Sequence, residues 1–148
     1  MNRPYDVITF DCYGTLIDWR SGIADAFARA AAADGVTIDR QALLAMYIDV
    51  ERVVEAETHR PYRDVLAETA RRIAPRLGWS LAPDRARFLP ESLPAWPPFP
   101  DTNPALERLS AAGYRLGILS NVDDDLLSAS RRRFTVTFDL LVTAEQVG

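Results

Sequence analysis

Three short β-prone runs set the limits on what this chain can fold into: residues 5–10 (YDVITF), 114–119 (YRLGIL) and 138–142 (FDLLV). Each is a brief run rich in β-branched and aromatic residues, the composition of a buried strand. None is followed by a tight hairpin turn; helical patterns fill the intervals instead. Strands that alternate with helices pair in parallel, because a parallel connection needs about a dozen residues or more to cross over. The expectation is an α/β fold around a parallel sheet, and in such sheets functional groups gather at the carboxyl ends of the strands.

The first interval is long and helical throughout. Ser21 suits a helix cap ahead of Ile23, Ala26, Phe27 and Ala30 at helical spacing, with Gly35 as a stop. Asp39 can cap a second helix carrying Leu43, Tyr47, Val50 and Val54. Pro61 suits the first turn of a third, with Val65, Leu66, Thr69 and Ile73 on one face and Gly78 beyond it. A shorter helix is expected over 83–89. Pro94, Pro97, Pro98, Pro100 and Pro104 then mark a stiff connector. Helices starting near Asn103-Pro104 and spanning about 123–133 complete the alternation.

Composition narrows the setting. Apolar residues make up 48% and charged residues 26% of the 148 residues, as in a water-soluble globular protein. No apolar run reaches the roughly 20 residues that span a bilayer, and Asp6 and Asp11 interrupt any signal-peptide pattern. Cys12 is the only cysteine, which excludes an internal disulfide and fits a reducing, cytoplasmic location. A net charge of −4 argues against a nucleic-acid partner. All 17 basic residues are arginine, so no lysine is available to any mechanism.

Chemistry concentrates at the end of the first run, in Phe10-Asp11-Cys12-Tyr13-Gly14-Thr15-Leu16. A carboxylate just past a buried strand, followed by Gly14, suits an attacking group: Gly14 permits a tight turn and close approach, and loop N–H groups can face an anion. Asp11 would attack an electrophilic carbon or phosphorus and form an ester that water later cleaves. The competing reading is that Asp11 caps a turn. Ser120 and Asn121 stand at the end of the second run, at the expected level of Asp11; they too have a plain reading, as a helix cap.

The pattern of an apolar strand, D-x-x-G-T-L and then Asp18, resembles the first motif of the haloacid dehalogenase-like superfamily. Ser120-Asn121 is similar to its second motif, and the helical insert after the first motif resembles the helical cap of the dehalogenase branch. The resemblance implies a Rossmann-like core over 1–17 and 95–148, incomplete here, and a cap over 18–94. It makes Asp11 the nucleophile, has Thr15 orient the Asp11 loop, Ser120 hold the substrate carboxylate or Asp11, Asn121 donate to substrate or departing halide, and Tyr13 wall the pocket.

Superfamily phosphatases carry an aspartate two positions after the nucleophile to protonate a leaving alkoxide; here that position is Tyr13, whose phenol is poorly matched to the task at neutral pH. A halide leaves without a proton. The D-x-Y-G-T-L form is similar to that of the L-2-haloacid dehalogenases, which implies a small 2-haloacid substrate, inversion at C2 and no cofactor. The dehalogenases also use an arginine on the early cap to hold halide or carboxylate. Arg40 is nearest to it by position, with a solvated helix face as the rival reading for Arg40, Arg52, Arg60 and Arg63.

Two other readings stand beside this one. A magnesium-dependent phosphatase would use Asp11 and the Tyr13 carbonyl as metal ligands. A catalytically silent fragment or interaction module would fit the lack of the superfamily's third-motif lysine and fourth-motif acidic residue, which leads us to expect a chain truncated at its C-terminus. The first strand would then be a sheet edge, and the chain would be poorly stable or would pair through that edge as a homodimer. His59, beside Pro61, reads as a surface residue; Trp19, Trp79 and Trp96 read as core or hinge packing, or as an apolar substrate wall.

Overall fold

The computed structural model describes residues 6–143 and residue 146. The chain divides into two compact units, one formed by Met1–Trp19 with Trp96–Gly148 and the other by Arg20–Ala95.

The first unit is an α/β unit. Strands β1 (Val7–Phe10), β2 (Arg115–Ser120) and β3 (Leu140–Thr143) form one parallel sheet in the order β1-β2-β3. Phe10 is level with Ile118, and Ser120 with Thr143. Helices α5 (Thr102–Ala111) and α6 (Asp124–Arg131) precede and follow β2, the alternation read from the sequence. Side chains alternate across the sheet: Leu116 and Ile118 are buried on one face, whereas Val7, Leu119 and Leu140 share the other and are 41–48% exposed.

Several boundaries move by a few residues, each for a physical reason. Strand β3 starts at Leu140 because Phe138 turns inward against Phe134, their rings 5.4 Å apart and edge to face. Helix α5 starts at Thr102, which leaves Pro104 in the first turn where no N–H is needed. The Asn103 side chain donates to the carbonyl of Arg133 and accepts from the N–H of Thr135, tying α5 to the segment after α6. Tyr5, the expected start of the first strand, lies outside the described residues.

The second unit is helical: α1 (Trp19–Ala33, beginning in the boundary residue), α2 (Arg40–Glu57), α3 (Tyr62–Arg76) and α4 (Phe88–Ser92). Ser21 lies inside α1 rather than capping it, because the Trp19 N–H already bonds the Ile17 carbonyl. Asp39 does cap α2, its carboxylate accepting from the N–H groups of Gln41 (2.9 Å) and Ala42 (3.2 Å). Pro61 is the N-cap of α3, and a 3₁₀ turn at Pro83–Arg87 replaces most of the short helix expected over 83–89. The buried ring of Phe27 is the hub of this core, packed edge to face on Tyr47, Trp79 and Phe88. Trp79 also donates its indole N–H to Asp34 at 2.9 Å, and Arg85 pairs with the same carboxylate. No helix among the described residues is long and apolar enough to cross a membrane.

Candidate active site

Strand β1 ends at Phe10 and delivers Asp11 to the carboxyl edge of the sheet, where its side chain is exposed. Strand β2, the adjacent strand, ends at Ser120 and is followed by Asn121. Neighbouring strands lie about 4.8 Å apart, so the register brings Asp11 and the Ser120-Asn121 pair to one end of two hydrogen-bonded strands. Ser120 and Asn121 do not cap α6: that helix takes Asp123 as its N-cap residue. The plain capping explanation for the pair therefore fails.

The loop after Asp11 is closed by its own backbone. The Cys12 carbonyl accepts from the N–H groups of Thr15 (3.2 Å), Leu16 (2.7 Å) and Ile17 (3.0 Å), and the Gly14 N–H donates to the Ile17 carbonyl at 2.9 Å. Those four N–H groups are thus occupied. The expectation that loop N–H groups face an anion is thereby narrowed to the remaining loop amides. Gly14 adopts φ +92°, and a Cβ there would meet the Trp19 indole at 3.2 Å, so backbone and neighbour both require glycine.

The loop is anchored from below. Thr102, buried at the start of α5, donates to the Leu16 carbonyl at 2.8 Å. The proline-rich segment runs alongside: the Asp18 N–H donates to the Pro97 carbonyl at 2.8 Å, the Phe99 N–H to the Leu16 carbonyl at 3.2 Å, and Ile17 bridges Pro98 in antiparallel fashion. The connector is therefore paired backbone rather than a bare spacer.

The candidate side chains divide by environment. Thr15 Oγ1 donates to Asp11 Oδ2 at 3.5 Å, a long contact that points the hydroxyl at the carboxylate. Tyr13 is half-buried; its hydroxyl shares a 2.9 Å hydrogen bond with Ser130 Oγ on α6, and its ring meets Trp96 edge to face at 6.0 Å. Burial is the main reason its phenol is pushed well above the usual tyrosine range, with smaller contributions from Cys12 and Asp123 that the Ser130 bond offsets in part. Burial, with the Asp11 charge beside it, likewise pushes the Cys12 thiol up to about 12, which leaves it a protonated, inert packing group.

Ser130 escaped the sequence reading, since only the fold brings positions 117 residues apart into contact; Trp96, read as core packing or an apolar substrate wall, is buried against the Tyr13 ring. Asp124 likewise escaped it: it accepts from Thr143 Oγ1 at 2.6 Å and Gln146 Nε2 at 3.0 Å at the ends of β2 and β3. Arg40 belongs to the helical unit, at the start of α2, where it pairs with Asp25 at 2.7 Å, both side chains half exposed. His59 is exposed in the turn before α3. Among the described residues no three His, Cys, Asp or Glu side chains form a metal-holding group.

With this geometry in view, comparison with known proteins is direct. A family model described as haloacid dehalogenase-like hydrolase matches residues 5–148. The (S)-2-haloacid dehalogenase of Pseudomonas putida is 29% identical over 154 residues, covering 95% of this chain and 62% of that protein. Among solved structures, a defluorinating L-2-haloacid dehalogenase superposes with a TM-score of 0.80 at 22% identity, covering 95% of this chain and 60% of the other. The L-2-haloacid dehalogenase from Xanthobacter autotrophicus, solved with chloropropionic acid covalently bound, superposes at 0.74 with 24% identity, covering 96% and 58%. At that identity the structural likeness establishes the fold. The chain spans about three fifths of the length of the relatives it matches. A parallel sheet with Asp11 at its carboxyl edge, and a family match that runs along residues 5–148, make this chain a member of the haloacid dehalogenase-like hydrolase family.

Proposed function

We propose that the protein is a 2-haloacid dehalogenase that works through an Asp11 ester. The carboxylate of Asp11 attacks C2 of a small 2-haloacid from the side opposite the halogen. The C2–halogen bond breaks as the C2–O bond forms, halide departs with the bonding pair, and C2 inverts. Water then adds to the Asp11 carboxyl carbon, and the ester opens to free aspartate and a 2-hydroxy acid, giving two moderate steps in place of one difficult one. Thr15 orients the nucleophile. Ser120 and Asn121 supply hydroxyl and amide donors to the substrate carboxylate or the departing halide. Arg40 is the candidate cation for the same anions and would have to exchange its Asp25 partner for substrate.

The observation that carries this reading is Tyr13. An alkoxide leaving group requires a proton, and the residue two positions after the nucleophile holds its proton above the tyrosine range and turns its hydroxyl to Ser130. A halide requires none. The covalent chloropropionic acid of the Xanthobacter relative supports the same chemistry, and the proposal needs no cofactor.

The test is chloride release from (S)-2-chloropropionate by the chain, with and without Asp11→Asn. We expect (R)-lactate and chloride without added metal, and a loss on the order of 10³-fold or more in kcat for the variant. Because Asp11 is exposed, the variant should melt within about 0.5 kcal/mol of the parent. Phosphate release that depends on magnesium, without chloride release, would replace this reading with the phosphatase one.

A further inference from the structure

The two halves of the candidate site arrive on different strands, and something must hold them in register. Asp11 and its loop follow β1; Ser120 ends β2, and Asn121 begins the short link to α6. A side-chain hydrogen bond ties these halves together, between Tyr13 on the loop and Ser130 near the end of α6, at 2.9 Å. Ser130 is 1% exposed. The Tyr13 ring is also braced edge to face by the buried Trp96, so the phenol has little freedom to leave its partner.

We infer that Ser130 is a positioning residue for the Asp11 nucleophile: its hydroxyl, through the Tyr13 phenol, pins the Asp11 loop to α6, the helix that follows Ser120 and Asn121 in the chain. The role requires no contact between Ser130 and substrate. Small misplacements of a reacting group cost rate disproportionately, about 10²-fold for 1 Å. A loop held by short internal hydrogen bonds can still shift as a body relative to α6, and the Tyr13–Ser130 bond opposes that shift. A serine at this position could instead simply fill a buried site on α6. The two roles predict different behaviour.

The inference rests on the dehalogenase reading for its rate readout, so the experiment has two arms. In the first, Ser130→Ala, Tyr13→Phe, the double variant and Ser130→Thr are assayed for chloride release from 2-chloropropionate. The expected result is a fall in kcat of about ten-fold for each single variant with KM within two-fold. The double variant should be no worse than either single one, since both remove one interaction, and Ser130→Thr, which keeps the hydroxyl, should recover most of the rate. Unchanged kcat in Ser130→Ala, or losses that multiply in the double variant, would overturn the role.

The second arm follows amide hydrogen exchange at Gly14, Leu16 and Ile17, with the β2 amides as the internal reference. Exchange at the loop should quicken several-fold in Ser130→Ala and Tyr13→Phe and return to the parental rate in Ser130→Thr, with β2 unchanged. Loop exchange at the parental rate in both variants overturns the inference. If the parent releases no chloride from any 2-haloacid, the dehalogenase reading has failed, and the exchange arm alone decides whether Ser130 positions the loop.

Discussion

At the scale of single residues, the loop after β1 leaves little room for substitution. Gly14 combines a left-handed backbone with a neighbouring indole at 3.2 Å from any added Cβ. Gly14→Ala is expected to cost about 1–2 kcal/mol from the backbone alone, with further displacement of Trp19. The check is a thermal or urea melt read by tryptophan fluorescence, in which the native emission should also shift; parental stability and emission would refute this reading. The residues proposed to carry the chemistry, Asp11, Thr15 and Ser120-Asn121, stand out in the sequence because each lies at or just past the end of a strand. The partner of Tyr13 could not: Ser130 is an ordinary helical serine until the fold brings it within 2.9 Å of the phenol. Occupation of the Gly14–Ile17 amides was also invisible, because it depends on how the loop closes on the Cys12 carbonyl.

At the scale of elements, the helical unit holds a titratable group that its packing perturbs. Glu51 on α2 is pushed from 4.5 to about 7 by burial first and by the charge of Glu55 second, against the pull of hydrogen bonds from Tyr62 and Tyr47. Tyr47 is fully buried, and its phenol is pushed well above the tyrosine range by burial and by the charges of Glu51 and Glu55. Between pH 4.5 and 7 the folded protein holds a proton on Glu51 that the unfolded chain has released, so stability falls as pH rises through that window and levels off above it. The loss amounts to at most about 3 kcal/mol. Urea melts from pH 4.5 to 7.5 should show this decline, and Glu51→Gln should remove most of it; an unchanged slope in the variant would disprove the assignment. Apolar periodicity made α2 and α3 legible, and Asp39 marked the start of α2 correctly. Ser21 misled because the turn at Ile17 starts α1 two residues earlier, a consequence of pairing with the proline segment.

At the scale of the whole molecule, the alternation of strands and helices was the most legible feature, because each strand run is short and apolar and the intervals are too long for hairpins. Parallel pairing followed from it. Surface chemistry followed less well, since exposure on a sheet depends on what covers each face. Among the described residues β1 pairs only with β2, and Val7, Leu119 and Leu140 stand exposed on one sheet face. An open strand edge beside exposed apolar side chains favours association. The chain alone should therefore show a light-scattering mass that rises with concentration, and Leu119→Lys should lower it. A monodisperse monomer at all concentrations would count against this expectation.

The proposed dehalogenation depends on Asp11 forming a bond to carbon, and heavy-oxygen water tests that step most directly. Under single-turnover conditions with 2-chloropropionate, water attacks the Asp11 carboxyl carbon, so the label should enter the Asp11 side chain, detected by mass spectrometry of the peptide containing FDCYGTL, while the first lactate released stays unlabelled. Label in that lactate with none in Asp11 would mean that water attacks C2 directly, and would contradict the account.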